Sequence, residues 1–393
     1  MKTLRIIVAP FRWNGSGMTT YSEYLIKALC GAGAQVTVVG FGPEPTFAQS
    51  LGADYAGLGD DPEFLNYMGG PVVTYLHIRR KVAKELQPLI ADAEIVNFIY
   101  PGATKQFERI KTVSTAWGFS PPLESVIDLK LNVPLRLYPL AAINATEHYF
   151  MDRAAYKVSD AIIGTTSETI RFWSMRIEGL QGKYMPVPVE YQSSDFHDIE
   201  TKSNERVSFL IGERDLERPR NNVMQCLMAF EILHRKGFDN FQINLVGHAG
   251  KKVISEIHRL KNLGVHVRIH EYMDKDSFQT LLNQNDVALI PRYIKDQGGY
   301  WPLEAMARGN CVIALRIPAF EDFVKDGHSG ILLENAMPSN IATSIGKVLN
   351  DYNFLNDLKK GAVAQIKEKH SLEVSGNEYL NYYRYILENS KEG

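Results

Sequence analysis

The chain has 393 residues, 45% of them hydrophobic and 22% charged, which is enough apolar material for two domains, each with its own core. Its net charge of -2 and pI of about 6.6 show no overall excess of positive charge and leave room only for local basic patches, so we expect no nucleic-acid partner. The three cysteines lie far apart and in no metal-ligand spacing, which favours reduced thiols in a cytoplasmic protein.

The first half of the chain predicts an α/β domain over residues 1–190. The apolar run in MKTLRIIVAPFRW is too short for a signal peptide or a membrane span. LRIIVAP predicts a buried strand, NGSG a turn, MTTYSEYLIKALCGAG a helix ended by glycine, and QVTVVG a second strand. Further apolar runs at EIVNFIY and DAIIGTT predict a parallel sheet with helices on both faces.

A basic helical pattern, YLHIRRKVAKELQPLI, lies within this first domain. Its cations could touch anionic lipid or an anionic acceptor, which makes peripheral membrane contact one hypothesis. An ordinary surface helix is the favoured interpretation.

A second α/β domain is predicted after a linker at residues 191–206, which are polar and have no hydrophobic period. Strands alternate with helices from VSFLIG to CVIALR, and a final run of helices follows. We expect this domain over residues 207–372 and a C-terminal helix over residues 373–393 that packs back on the first domain. The predicted fold class is α/β, with two Rossmann-like parallel-sheet domains that face each other across a ligand-binding cleft.

The stretch DQGGYWPLEAMARG predicts a glycine turn followed by a short helix, with Pro302 at its start and Gly309 at its end. Gly298 and Gly299 would lie at the helix N-terminus, where backbone N–H groups and the helix dipole favour an anion. The alternative is a plain turn in which Glu304 only complements the dipole, worth about 0.3–1 kcal/mol.

Two other loops follow strands. Asn14–Thr20 resembles half of a dinucleotide fingerprint, but Thr20 stands where a third glycine would fall, which weakens the case for a nicotinamide cofactor. The loop GERDLERPRN contains Arg214, Arg218 and Arg220, whose forked donors suit phosphate. Alternatively its acidic residues, Glu213, Asp215 and Glu217, neutralise those arginines.

No required metal is indicated by the sequence. The DKD segment at residues 274–276 could hold a cation, but Asp276 with Gln279 three residues later fits a helix N-cap better. The sequence contains no HExxH, P-loop or cysteine cluster.

Taken together, these loops resemble the GT-B fold retaining glycosyltransferases of the family 4 type (glycosyl transferases group 1), most strongly from about residue 207 to 335. That family carries a carboxylate, a glycine turn and a second Glu eight residues after the first, followed by EAMA-G-PVIA. In DQGGYWPLEAMARGNCVIA these carboxylates are Asp296 and Glu304. The segments FEDFVKDGHSGILLE and DAIIGTTSET also look like family segments.

The resemblance implies a nucleotide diphosphate sugar as donor and no further cofactor. Glu304 would accept hydrogen bonds from ribose hydroxyls, and Asp296 would hold hydroxyls of the donor sugar. The residues that would contact the diphosphate, its charge or the base are Gly17, Gly298, Gly299, Tyr300, Arg214, Arg218, Arg220 and Tyr272.

Two residues depart from the family pattern. Asp296 is one methylene shorter than the usual Glu, which can move the sugar or alter the preference for it. Trp117, in STAWGF, stands where the family often has histidine, so any role of that histidine is absent here. Trp117 could stack on a sugar or fill the core.

The expected function is transfer of a sugar from a nucleotide diphosphate sugar to a saccharide, lipid-linked or other small acceptor, in polysaccharide or glycolipid assembly. One alternative is a nucleotide-sugar epimerase or dehydrogenase, and another is a non-catalytic nucleotide-sugar-binding scaffold. Fold alone does not distinguish them.

Overall fold

The computed structural model describes residues 3–11, 17–58, 84, 86–88, 92–99, 104–117, 138–191, 206–271, 273–293 and 299–389. The chain divides into two compact units, one of Met1–Pro188 with Lys369–Gly393 and one of Val189–Glu368. The predicted linker at 191–206, apart from its two end residues, lies outside the described residues. So does the basic helical pattern at 75–90, apart from positions 84 and 86–88.

The first helix ends at the glycines that the sequence predicts as its end. The first helix ends at Gly31, and Gly33 follows it with φ 89°, a conformation that favours glycine. None of the described helices is both long and apolar enough to cross a membrane. The described helices, in chain order, are α1 (Gly17–Gly31), α2 (Thr46–Leu51), α3 (Tyr138–Lys157), α4 (Ser167–Ser174), α5 (Val223–Arg235), α6 (Lys251–Asn262), α7 (Lys275–Asn283), α8 (Trp301–Ala307), α9 (Pro318–Glu321), α10 (Pro338–Asn350), α11 (Tyr352–Lys369) and α12 (Leu372–Asn389).

The first unit contains a parallel sheet whose described strands run in the order β3-β2-β1-β4-β5-β6-β7. The central strand is buried because both of its faces are covered, which explains its continuous apolar run. The strand order reverses between β1 and β4, and ligands of such sheets bind beyond the carboxyl ends of the strands at this point. The strands are β1 (Arg5–Phe11), β2 (Gln35–Gly40), β3 (Asp54–Gly57), β4 (Ile95–Phe98), β5 (Lys111–Ala116), β6 (Ala161–Gly164) and β7 (Gly182–Tyr184).

The second unit contains a parallel sheet in the order β10-β9-β8-β11-β12-β13. Its order reverses between β8 and β11, which are therefore the strands beside the expected crevice. The prediction of only helices after CVIALR was wrong, because the four-residue run GILL pairs with β12 as an edge strand. The strands are β8 (Val207–Asp215), β9 (Phe241–His248), β10 (His266–His270), β11 (Val287–Ile290), β12 (Cys311–Leu315) and β13 (Gly330–Leu333).

The N-cap predicted at Asp276 was wrong, because α7 begins two residues earlier than that cap requires. Asp274 has extended backbone angles and caps the helix. Its carboxylate accepts hydrogen bonds from the Ser277 backbone N–H at 2.8 Å and from the Ser277 hydroxyl at 2.9 Å. These bonds lower the pKa of Asp274. Asp276 lies in the first turn of α7.

The C-terminal helix α12 is joined to the first unit through buried hydrogen bonds. The hydroxyls of Tyr379 and Tyr21 lie 2.8 Å apart, which joins α12 to α1. The Asn97 side-chain amide donates to the Tyr383 hydroxyl at 2.8 Å, and Thr115 donates to the Asn97 amide oxygen at 3.1 Å. Because a buried polar group that loses its partner costs about 1–3 kcal/mol, this network favours one docked position of α12.

Lowering the pH should destabilise the first unit through His370. Its Nδ1 donates to the Val187 carbonyl at 2.9 Å, and burial lowers its pKa from 6.5 to about 4. The unfolded chain binds a proton here below about pH 6.5 and the folded protein does not, so stability is full above that pH and falls by about 3 kcal/mol towards pH 4. Urea unfolding at pH 7, 6 and 5 should show this loss in the wild type and a flatter profile in His370→Asn. Equal pH profiles for the two proteins would contradict it.

Candidate functional site

Two charged side chains meet at the carboxyl ends of β8 and β11, the strands at which the sheet order reverses. Glu213 lies near the end of β8, and Arg292 follows β11 by two residues. The Arg292 Nη1 and Glu213 Oε1 atoms are 3.7 Å apart, and both side chains are nearly buried. The pair therefore lies where ligands of parallel sheets bind.

Glu213 has an unusual electrostatic setting. Burial raises the pKa of its carboxyl, while the positive charges of Arg292, Arg220 and Arg218 oppose that rise. A buried carboxyl beside several guanidinium groups is typical of a functional site, although structural ion pairs also produce it. The sequence analysis missed Arg292 altogether and treated Glu213 only as a neutralising charge.

The loop between β8 and α5 is fastened to the segment after β11. The Asn221 amide donates to the Asp215 carbonyl at 2.8 Å, and the Asn222 amide donates to the Pro291 carbonyl at 2.8 Å. The backbone N–H of Tyr293 donates to the Arg220 carbonyl at 2.8 Å. These bonds fix the backbone from which Arg220 projects, and its Nε is buried without an acceptor among the described residues.

The three acidic residues of this loop have different partners. Asp215 forms an ion pair with Arg218, whose side chain is 46% exposed. Glu217 instead accepts from the Lys252 backbone N–H at 2.6 Å, at the start of α6. The predicted neutralisation thus applies to Arg218, whereas Arg214 is exposed and Arg220 is half-buried.

The glycine turn before α8 lies directly on Arg292. Gly299 has φ 77°, and a Cβ added there would overlap the Arg292 guanidinium. Tyr300 precedes α8, and Pro302 is its second residue. Glu304, in the first turn of α8, is only 7% exposed. The backbone N–H of Glu304 is bonded to the Tyr300 carbonyl at 3.3 Å. Asp296 and Gly298 lie outside the described residues.

A pair of packed aromatic side chains lies at the start of α8. The rings of Phe278 and Trp301 pack edge to face with their centroids 6.1 Å apart, and Gly212 of β8 lies against both. The Trp301 Nε1 is buried without an acceptor in the described part of the chain.

At the end of β10, His270 Nε2 lies 3.5 Å from the Asn244 amide oxygen, while Tyr272 lies outside the described residues.

Two residues selected from the sequence, Gly17 and Trp117, lie in the first unit and follow its strands β1 and β5. Gly17 is the first residue of α1. The Trp117 indole donates to the Ile99 carbonyl at 2.6 Å and packs edge to face on Tyr21, with ring centroids 4.8 Å apart. Trp117 is therefore held in one orientation while half-exposed. Within the described ranges, no three His, Cys, Asp or Glu side chains converge as a metal site.

A family model matches most of the second unit. The family model described as "Glycosyl transferases group 1" matches residues 195–365. A phosphatidyl-myo-inositol mannosyltransferase of Mycolicibacterium smegmatis is 26% identical over 214 residues, which are 53% of this chain and 53% of that protein. A D-inositol 3-phosphate glycosyltransferase of Catenulispora acidiphila is 30% identical over 28% of this chain and 26% of that protein. The chain thus spans about half or less of the length of these relatives.

Comparison with solved structures supports the fold over nearly the whole chain. The Anabaena protein HepE, solved in complex with UDP and glucose, matches with a TM-score of 0.65 and 13% identity. The match covers 97% of this chain and all of that one. At this identity the likeness concerns the fold, and the predicted fold class, α/β with two parallel-sheet domains of the GT-B kind, is confirmed.

Proposed function

Because residues 195–365 match the family model of the glycosyl transferases group 1, we propose that the protein transfers a sugar from a nucleotide diphosphate sugar to an acceptor. In that reaction the bond between the sugar's anomeric carbon and the diphosphate oxygen breaks. The electron pair of that bond leaves with the nucleoside diphosphate, the acceptor hydroxyl oxygen bonds to the carbon, and the hydroxyl proton passes to the leaving diphosphate or to water. The match agrees with the family resemblance and the class of enzyme predicted from the sequence, and the family 4 type stays a prediction.

The observation that carries the proposal is the family match, because it spans the segment with the glycine turn and Glu304. Within that segment a positive-φ glycine precedes a helix whose first turn buries a carboxylate. A turn without side chains lets a diphosphate approach the backbone, and a buried carboxylate can accept from two neighbouring hydroxyls. The turn therefore suits the diphosphate of a nucleoside diphosphate, and the carboxylate suits the two hydroxyls of its ribose.

The donor is assigned to the second unit, residue by residue. Glu304 holds the ribose hydroxyls, and Asp296 holds hydroxyls of the transferred sugar. The backbone at Gly298, Gly299 and Tyr300 borders the diphosphate. Tyr272 contacts the base. The support for Glu304 is its burial, since its side chain is only 7% exposed. Hydrogen-bond donors strongly stabilise a carboxylate that is nearly buried.

The loop after β8 supplies positive charge to the leaving group. Arg214 and Arg220 stabilise the nucleoside diphosphate as it departs, and Arg218 adds to the charge although Asp215 offsets it. Arg220 has the best support, because its backbone is fixed and its Nε is buried without an acceptor in the described part of the chain. Donors aimed at developing charge contribute about 2.7–4 kcal/mol each in comparable sites.

Acceptor recognition is assigned to the first unit. Trp117 is held by its hydrogen bond to Ile99 and by Tyr21, so its indole can present a fixed face to a sugar ring. By resemblance to the family, we also propose a saccharide or lipid-linked acceptor, retention of the sugar's configuration and no requirement for a metal. The basic pattern at residues 75–90 is the ground for proposing peripheral membrane contact.

A thermal-shift panel tests the proposal. UDP, GDP, ADP, dTDP, their common sugars and NAD are each added to the full chain. One nucleoside diphosphate should stabilise the protein selectively, by about 2.7 kcal/mol at about 100 times its dissociation constant, or roughly 2–4 °C. A shift with NAD alone would indicate a dehydrogenase or epimerase, and the absence of any shift would refute nucleotide-sugar binding.

A further inference from the structure

Arg292 combines burial with a position against the glycine turn. Its side chain is only about 10% exposed although it carries a full charge. The Gly299 backbone passes so close to the guanidinium that any Cβ there would overlap Nη2. Arginine carries five N–H donors in a planar fork, so Nη2 can support this turn while Nη1 faces Glu213.

Several arginines act on the carboxylate that faces Arg292. Arg292, Arg220 and Arg218 all act on Glu213, and Asp215 is paired with Arg218. The 3.7 Å separation of Arg292 from Glu213 is longer than an N–H···O hydrogen bond, so Glu213 attenuates the charge of Arg292 through space.

We propose that Arg292 is a donor-binding residue, which supports the Gly299 turn and holds the diphosphate of the donor against it, while the negative charge of Glu213 weakens its hold on the diphosphate. This inference rests on the proposed function, because it takes a nucleoside diphosphate as the ligand. It assigns roles to two residues that come together only in the folded sheet, one near the end of β8 and one after β11. Removing the charge of Arg292 should weaken diphosphate binding, and removing the charge of Glu213 should strengthen it.

The test measures dissociation constants for one nucleoside diphosphate and for the nucleoside with the same base, by calorimetry on the full chain. Arg292→Met should weaken diphosphate binding by about tenfold to a hundredfold and change nucleoside binding less than about twofold. Arg292→Lys should lie between. Glu213→Gln should tighten diphosphate binding by about threefold or more, because it removes a negative charge from the site. Arg235→Met, at an exposed arginine paired with Glu231, is the control and should change neither constant.

The outcomes separate this proposal from the proposed function. If the wild type binds no nucleoside diphosphate, the proposed function fails. If the wild type binds one, parallel losses for diphosphate and nucleoside in Arg292→Met would show a purely structural role and overturn the inference. If Arg292→Met does not fold, Glu213→Gln decides, since unchanged or weaker diphosphate binding in that variant would also overturn it.

Discussion

Replacing Glu304 with alanine should raise the KM for the nucleotide-sugar donor by about a hundredfold or more. Glu304 is nearly buried in the first turn of α8 and is assigned to two ribose hydroxyls. Each hydrogen bond to a charged group contributes about 1.5–3 kcal/mol, so losing both costs at least about two powers of ten. Steady-state kinetics with the donor selected by the thermal-shift panel would measure the change.

A matched control separates this role from helix-dipole stabilisation. Glu373 lies in the first turn of α12 and is exposed, so Glu373→Ala removes a similar dipole interaction away from the donor site. The control should leave the donor KM unchanged. If Glu304→Ala changes the melting temperature as little as Glu373→Ala does and keeps the wild-type KM, Glu304 only complements the dipole.

Replacing Gly376 with alanine should destabilise the first unit. A Cβ at this position in α12 would overlap the Ala28 carbonyl oxygen of α1 and approach the Ala32 Cβ to 3.2 Å. Separating the two helices costs about 1–3 kcal/mol, and it strains the buried Tyr21–Tyr379 hydrogen bond as well. Urea unfolding should show a lower free energy of unfolding, and limited proteolysis should release the C-terminal helix more readily.

Gly346→Ala provides the control for that prediction. Gly346 also lies inside a helix, α10, but a Cβ there would meet only the Leu233 Cδ2 at 3.6 Å, an ordinary contact. Alanine is more favourable than glycine in a helix by about 0.5–1 kcal/mol, so this variant should be neutral or more stable. Equal stabilities for the two variants would show that α12 does not pack closely on α1.

The strands that build both sheets could be predicted because each is a continuous apolar run between turn signals. The runs LRIIVAP and DVALIPR became central strands, since strands covered on both faces need no alternation. The run GILL was missed because four apolar residues do not distinguish a strand from a buried helical segment. The cap at α7 was misplaced because Asp274 and Asp276 both carry a suitable carboxylate, and the backbone decides between them.

The glycine turn and Glu304 could also be located, since one contiguous stretch contains them. Arg292 and Glu213 could not, because they lie far apart in the sequence and meet only through the pairing of β8 with β11. A usable signal was nonetheless present: each follows or ends a buried strand at the point where the sheet order reverses. For Trp117 the sequence left stacking and core packing open, and the half-exposed, hydrogen-bonded indole favours stacking.

Turnover of the donor is the most direct test of the proposed transfer. The full chain would be incubated with the nucleotide sugar selected by the thermal-shift panel, with water alone and with added monosaccharide or lipid acceptors. Chromatography would follow release of the nucleoside diphosphate. The proposal predicts release well above that of Glu304→Ala, and more of it when a suitable acceptor is present. Binding of the donor with no release above this variant under any condition would contradict transfer and indicate a nucleotide-sugar-binding scaffold.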